Sequence, residues 1–523
     1  MNMKPLGAAP ALALLLALAA CASAFEAPLA HATSMAGNWP PPWQDDAQRS
    51  HIDFTPPSFA VPAASHCHRA PTSREVPGGE REPQGASWRS RMGAKADAAS
   101  ASAPAALAKR AEPAEREDAP RESRRAAAGA RDEMRSPMSV APALPAGESA
   151  ASIWPQPQPQ PLPWLQPLPQ RQRPVNETVT AGVVDDNADF GAYLSYRQRQ
   201  AGLPVRDRDI SERYLLEVTD VQGRPVHDAE VAVQRPGLTE PVMWARTDTA
   251  GKVWLHPRAF MAGTPNPGSV LGVAVRKGGA QARATLLRGQ AQSVQVRLGD
   301  ATAAQRPRLD LVFLVDATGS MGDEIAKLKT SMRAMSQQIS QLPGQPDICY
   351  GLVAYRDRGD VFLTRTHDFT DDLGAFQQML ARVQAAGGGD TPEALNEALH
   401  EVVHHMSWRA DAARLVVLVA DAPPHLDYGG PQYDRDMQAA LAKGIKLFAV
   451  GASGLDPVGE YIFRQMAQYT AGRFVFLTYK NAADPGSGPG TQTVHDVKGY
   501  SVQTLDHLVV RLVAEEMARL SRS

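Results

Sequence analysis

The chain has 523 residues, too many for one ordinary hydrophobic core, so two or three domains with extensions are expected. A formal net charge of −2 gives no electrostatic case for a nucleic-acid partner. Three cysteines (Cys21, Cys67 and Cys349) are too few for a disulfide framework.

Residues 1–24 read as an export signal. Lys4 is the lone basic residue there, and 6–20 is apolar but too short for a stable membrane span. Leu18-Ala19-Ala20-Cys21 resembles a bacterial lipobox, which implies cleavage and a lipid on Cys21. Ordinary cleavage after Ala22-Ser23-Ala24 is the other reading and gives a secreted protein. The expectation is export to the cell envelope, tethered by lipid to a membrane and facing the periplasm or the outside.

Residues 25–174 are rich in Pro, Ala and Arg without a sustained apolar period and are expected to be disordered. His66-Cys67-His68 falls here and reads as incidental rather than as a metal site. From Arg69 to Arg135, arginines mix with acids as in a solvated polyampholyte. The run from Trp154 to Gln170 reads as a polyproline II spacer. Residues 175–210 are a short ordered lead-in with a helix near Phe190. Asp185 and Asp186 serve turns and caps there.

Residues 211–300 alternate in the strand manner with Gly turns, which predicts a small antiparallel β-sandwich. Asp220-x-x-Gly223-Arg224-Pro225-Val226 followed by Thr247-Asp248-x-x-Gly251 resembles carboxypeptidase-regulatory-like modules. That resemblance implies a spacer or docking domain without catalysis.

From 308 to 521, strands and helices alternate. Strands are expected at 309–316, 348–355, 361–364, 414–421, 446–451 and 473–477. Helices are expected at 321–341, 371–385, 392–408, 432–443, 456–470 and 502–521. Ile325, Leu328, Met332, Met335 and Ile339 mark the core face of the first helix. Cys349 lies in an apolar strand and reads as a buried small hydrophobe. The fold class is α/β, a doubly wound and mostly parallel sheet, with ligands expected at the carboxyl ends of the strands.

Asp316-Ala317-Thr318-Gly319-Ser320 closes the first of these strands. It places one carboxylate and two hydroxyls on a turn, oxygen donors of the kind a hard divalent cation takes. Thr391, after a run of three glycines, adds a hydroxyl, and Asp421 ends another apolar strand. Asp316, Thr318, Ser320, Thr391 and Asp421 together resemble the metal-ion-dependent adhesion site of von Willebrand factor type A domains. The resemblance implies Mg²⁺ or Mn²⁺ held by the three hydroxyls, with the carboxylates acting through water. It also implies a protein partner that offers an Asp or Glu side chain to the metal.

Two rival motifs lie in the same region. His400-Glu401-Val402-Val403-His404 matches the zinc-peptidase signature. Leu395, Ala398, Leu399, Val402 and Met406 define that helix's core face, so the histidines are expected to point toward solvent. Arg358-Gly359-Asp360 spells an integrin-recognition tripeptide, in a turn where Gly and Asp are wanted anyway. The reading is a non-enzymatic, Mg²⁺-dependent adhesion or assembly module. A zinc metallopeptidase and a scaffold for a separate ATPase are its alternatives.

Overall fold

A computed structural model of the chain describes residues 67–79, 178–261, 269–290, 293–299, 306–389, 391–427 and 429–520. The expected export signal with Cys21, most of the expected linker and its polyproline run lie outside these residues.

The strands are β1 (Ser73–Val76), β2 (Thr180–Val184), β3 (Tyr214–Thr219), β4 (Glu230–Gln234), β5 (Met243–Arg246), β6 (Lys252–Leu255), β7 (Val270–Lys277), β8 (Ala280–Leu287), β9 (Ser293–Arg297), β10 (Arg308–Asp316), β11 (Asp347–Tyr355), β12 (Thr364–Thr370), β13 (Ala412–Ala420), β14 (Ile445–Gly451), β15 (Arg473–Asn481), β16 (Asp484–Pro489) and β17 (Val502–Thr504). The α-helices are α1 (Phe190–Arg199), α2 (Ile325–Ile339), α3 (Leu373–Arg382), α4 (Leu395–His400), α5 (Tyr433–Ala442), α6 (Pro457–Tyr469) and α7 (Leu505–Leu520).

The main sheet runs β1-β12-β11-β10-β13-β14-β15-β2-β17, with β16 paired to β15. Its centre, β11-β10-β13-β14-β15, is parallel. Such strands are covered on both faces and read as near-continuous apolar runs. β13 (AARLVVLVA) is buried along its whole length, and β10 along all but its first residue. On one face α2, α3 and α7 insert Leu328, Met332, Phe376, Leu380, Leu508 and Leu512. On the other, α4, α5 and α6 insert Leu399, Met437, Ile462 and Met466. The chain leaves β10 for β11 on one side and returns to β13 on the other. The crevice of a doubly wound sheet opens at that reversal, beyond the carboxyl ends of β10 and β13.

Several expectations need correction. Residues 67–79 are not disordered: β1 pairs antiparallel with β12, Ser73 opposite His367 and Val76 opposite Thr364. Cys67 is neither incidental nor free, and Cys349 is no mere hydrophobe, because the two form a disulfide with a Cα–Cα distance of 6.0 Å. The lead-in belongs to the main sheet, since β2 pairs with β15 and β17. Within it Asp185 makes the expected turn, accepting from Asn187 N at 3.0 Å, whereas Asp186 forms a buried ion pair with Arg464 at 2.6 Å. β12 begins at Thr364, where the expected strand ended, and the expected last helix gives up residues 502–504 to β17.

Residues 211–300 form two small sheets, β6-β3-β9 and β5-β4-β7-β8. Leu216, Val218, Val231, Val273 and Leu286 share one core with the main sheet's α4–α6 face. They are not wholly antiparallel, since β3 and β9 run parallel. Nor do they make a spacer. Buried Asp228 binds Arg414 of β13 at 2.8 Å, and Lys446 of β14 binds Glu516 of α7 at 2.8 Å and Asp248 at 3.4 Å.

Candidate metal-binding site

β10 ends in Asp316, which is fully buried. Its Oδ1 accepts from the Thr318 N–H at 2.9 Å and the Thr318 hydroxyl at 2.6 Å, closing a tight Asx-type turn. The Thr318 hydroxyl lies 3.1 Å from that of Ser320. A short 3-10 turn, Gly319–Asp323, then leads into α2. Asp421 follows β13 directly and is buried, with the Ser320 hydroxyl beside its carboxyl.

The loop before Thr391 is laid onto the Asp316 turn. Ala386 N donates to Ala317 O and Gly319 N to Gly387 O, both at 3.0 Å. Gly387 and Gly388 have φ of 77° and 71°, a region that favours glycine. A Cβ on Gly387 would sit 2.4 Å from the Asp360 carboxyl, and one on Gly388 would sit 3.3 Å from Thr318 Cβ. Thr391 is exposed. Two residues on, Glu393 N donates to Pro423 O at 3.0 Å, which ties this segment to the loop after Asp421. The three segments that carry the five expected residues therefore meet at the switch point.

Their electrostatics are unfavourable as carboxylates alone. Burial, then the neighbouring Asp421, pushes Asp316 up to about 7. Burial also raises Asp421. Glu393 is pushed up to about 10 by burial, then by Asp316, Asp357, Asp421 and Asp360. Asp316 Oδ2, Asp421 Oδ1 and Glu393 Oε2 are buried without a well-formed hydrogen bond. Buried polar oxygens of this kind normally have partners. Carboxylate and hydroxyl oxygens are hard donors, so the set fits Mg²⁺ or Mn²⁺ in preference to a soft metal.

The sequence reading missed Glu393, Asp357 and Asp360. Glu393 looks like an ordinary acid at a helix start, and only the fold turns it toward Asp316. Asp360 belongs to the Arg-Gly-Asp tripeptide, but its carboxylate is turned inward. It accepts from Asp357 N at 3.1 Å and from Gly388 N at 2.8 Å, so it braces the glycine loop. Arg358 binds Glu397 at 3.1 Å. Asp357 is buried against His425, with Nε2 to Oδ1 at 3.2 Å.

The His-Glu-x-x-His segment departs from expectation. α4 continues as a π-helical turn, Glu401–His405. His400 and His404, four residues apart, share one face, their ring centroids 4.3 Å apart. His404 is exposed as expected, whereas His400 is half-buried, and both rings reach Asp436 of α5. Glu401 points elsewhere, to Arg74 of β1, to His405 at 3.0 Å and to the Thr366 hydroxyl at 3.4 Å. The glutamate that a zinc peptidase uses as its base is thus held in a separate set of contacts.

The family model of the von Willebrand factor type A domain matches residues 310–483, from β10 through β15. This stretch is a type A domain. β1, β2 and β17 lie outside the match and extend the type A sheet at its two edges, and α7, also outside it, covers one face. The alpha-protein kinase vwkA of Dictyostelium discoideum is 32% identical over 119 residues, 22% of this chain and 19% of the kinase. The von Willebrand factor A domain-containing protein 7 of Mus musculus is 34% identical over 134 residues, 24% of this chain and 14% of that protein. The chain thus spans less than a fifth of the length of these relatives, and the likeness is confined to about one domain. Among solved structures, BatB from Bacteroides thetaiotaomicron is 13% identical with a TM-score of 0.28, covering 41% of this chain and 100% of that one. Type A domains are in general metal-dependent protein-interaction modules.

Proposed function

We propose that the type A domain binds a protein partner through Mg²⁺ or Mn²⁺, the metal taking an Asp or Glu carboxylate from that partner. Thr318, Ser320 and Thr391 hold the metal through their hydroxyls, and Asp316 and Asp421 balance its charge. The observation that carries this reading is the pair of buried carboxylate oxygens, Asp316 Oδ2 and Asp421 Oδ1, left without a well-formed hydrogen bond at the switch point, the Tyr355 hydroxyl lying beside the first carboxyl and the Ser320 hydroxyl beside the second. A bound divalent cation supplies the positive charge that these crowded carboxyls lack. Exposed Thr391 and Ser320 leave one side of the site open to a partner.

The same reading places the protein in the bacterial cell envelope, exported and lipid-anchored at Cys21. The Cys67–Cys349 disulfide supports an oxidising compartment. The test is partner capture from envelope extract by the purified chain, with Mg²⁺ and with EDTA. Capture that needs Mg²⁺ and disappears in folded Asp316→Ala is expected. Capture that is the same in EDTA overturns the reading.

A further inference from the structure

A cluster of potential metal ligands, chemically different from the oxygen set at Asp316, lies where α4 and its π-helical turn face α5. His400 Nδ1 is 3.2 Å from Asp436 Oδ1, and His404 Nε2 is 2.9 Å from the same oxygen. One ligand atom from each of the three residues lies within 4.8 Å of the other two. Zinc–nitrogen bonds of about 2.0–2.1 Å at tetrahedral angles put neighbouring ligand atoms about 3.4 Å apart. Small side-chain shifts therefore bring the three atoms onto one ion. Asp436 is buried and already orients both rings, and His404 is partly open, which leaves room for a water as fourth ligand. The nearby Lys443 ammonium is turned to the Val403 carbonyl at 2.7 Å.

We propose that His400, His404 and Asp436 bind Zn²⁺, or a similar borderline divalent ion, as a clip between α4 and α5. Two imidazoles and one carboxylate suit Zn²⁺, whereas the oxygen-only site at Asp316 suits Mg²⁺. The site is not hydrolytic, because Glu401 is engaged with Arg74 and His405 on a different side of the turn. Its role is mechanical. Asn396 of α4 fixes the near end of the helix pair, donating to His425 O at 2.5 Å and accepting from Tyr433 N at 2.8 Å. The metal fixes the far end, and α4 is the element that follows Thr391 directly.

The proposal is tested on the full chain, stripped with chelator and titrated with Zn²⁺ in excess Mg²⁺, which occupies the oxygen site. Calorimetry reads the affinity, and Co²⁺ substitution reads the ligand field by visible absorption. Wild type is expected to bind Zn²⁺ and to give an intense Co²⁺ band. His404→Gln and His400→Gln, each checked for folding by circular dichroism, are expected to weaken Zn²⁺ binding by more than about tenfold, the lower end of what loss of even a supporting partner costs. They are also expected to lose the Co²⁺ band. His400 is half-buried and His404 exposed, so either folded variant suffices. Asp316→Ala is expected to keep Zn²⁺ affinity unchanged, which separates this site from the Mg²⁺ reading. Absence of Zn²⁺ binding in wild type, or Zn²⁺ affinity unchanged in a folded histidine variant, overturns the proposal.

Discussion

Asp316 concentrates the chemistry of the type A domain in one carboxyl. Its folded value of about 7 lies above the ordinary carboxylate range near 4, so without metal it favours folding at low pH. That contribution is complete below about pH 4 and is lost as pH rises through about 7. Metal binding needs the carboxylate, so Mg²⁺ affinity rises with pH over the same window. Asp316→Asn separates the two effects. The amide keeps an acceptor for the Thr318 donors and removes the charge facing Asp421. In EDTA at pH 8 it is expected to stabilise the protein by on the order of 1–3 kcal/mol. The stabilisation that Mg²⁺ gives wild type is expected to vanish. Melting temperatures with EDTA and with Mg²⁺ check both. A destabilised Asn variant in EDTA would show that Asp316 is not strained by its neighbours.

At the scale of elements, the edge of the sheet is held by a crosslink the sequence does not announce. β1 covers β12, which would otherwise present unpaired backbone groups to other chains. Only four residues of β1 pair, and three of them are exposed, so the strand has little apolar burial of its own. The Cys67–Cys349 bond anchors it across a sequence separation of 282 residues. Cys349→Ser is expected to lower stability by about 2–5 kcal/mol and to free residues 67–79. Denaturant titration measures the first, and faster proteolysis at Arg69 and Arg74 reports the second. An unchanged cleavage pattern would mean that β1 holds without the bond. The π-helical turn at Glu401–His405 is the other element-scale surprise, since the apolar spacing predicts a regular helix over 392–408.

For the whole molecule, the two small sheets and the type A sheet share one apolar core and are joined by ion pairs. Burial alone would raise Asp228, but Arg414, Arg246 and Lys277 hold it well below the usual carboxylate range. Its stabilisation is therefore present above about pH 4 and is lost as pH falls further, a window separate from that of Asp316. Asp228→Ala leaves buried Arg414 without its carboxylate and is expected to cost about 3–5 kcal/mol. It is also expected to split one cooperative unfolding transition into two, as calorimetry would show. A single transition with unchanged enthalpy would mean that the apolar contacts alone couple the two parts.

What the sequence determined by itself is what depends on local pattern. Mostly apolar runs such as 309–315 and 415–420, alternating with amphipathic helical stretches, fit central parallel strands, whose carboxyl ends form the ligand-binding edge. That logic reached Asp316, Thr318, Ser320 and Asp421 through strand ends, and Thr391 through the glycines before it. Tertiary structure decided what joins distant segments. The Cys67 bond, the turning of Glu393 and Asp360 into the site, the seating of Asp228 on Arg414 and the meeting of His400, His404 and Asp436 all rest on contacts between residues far apart in the chain. Polar side chains carry no periodicity that tells which neighbour they will find. Burial then sets their charge and their partners, and burial is a property of the folded chain.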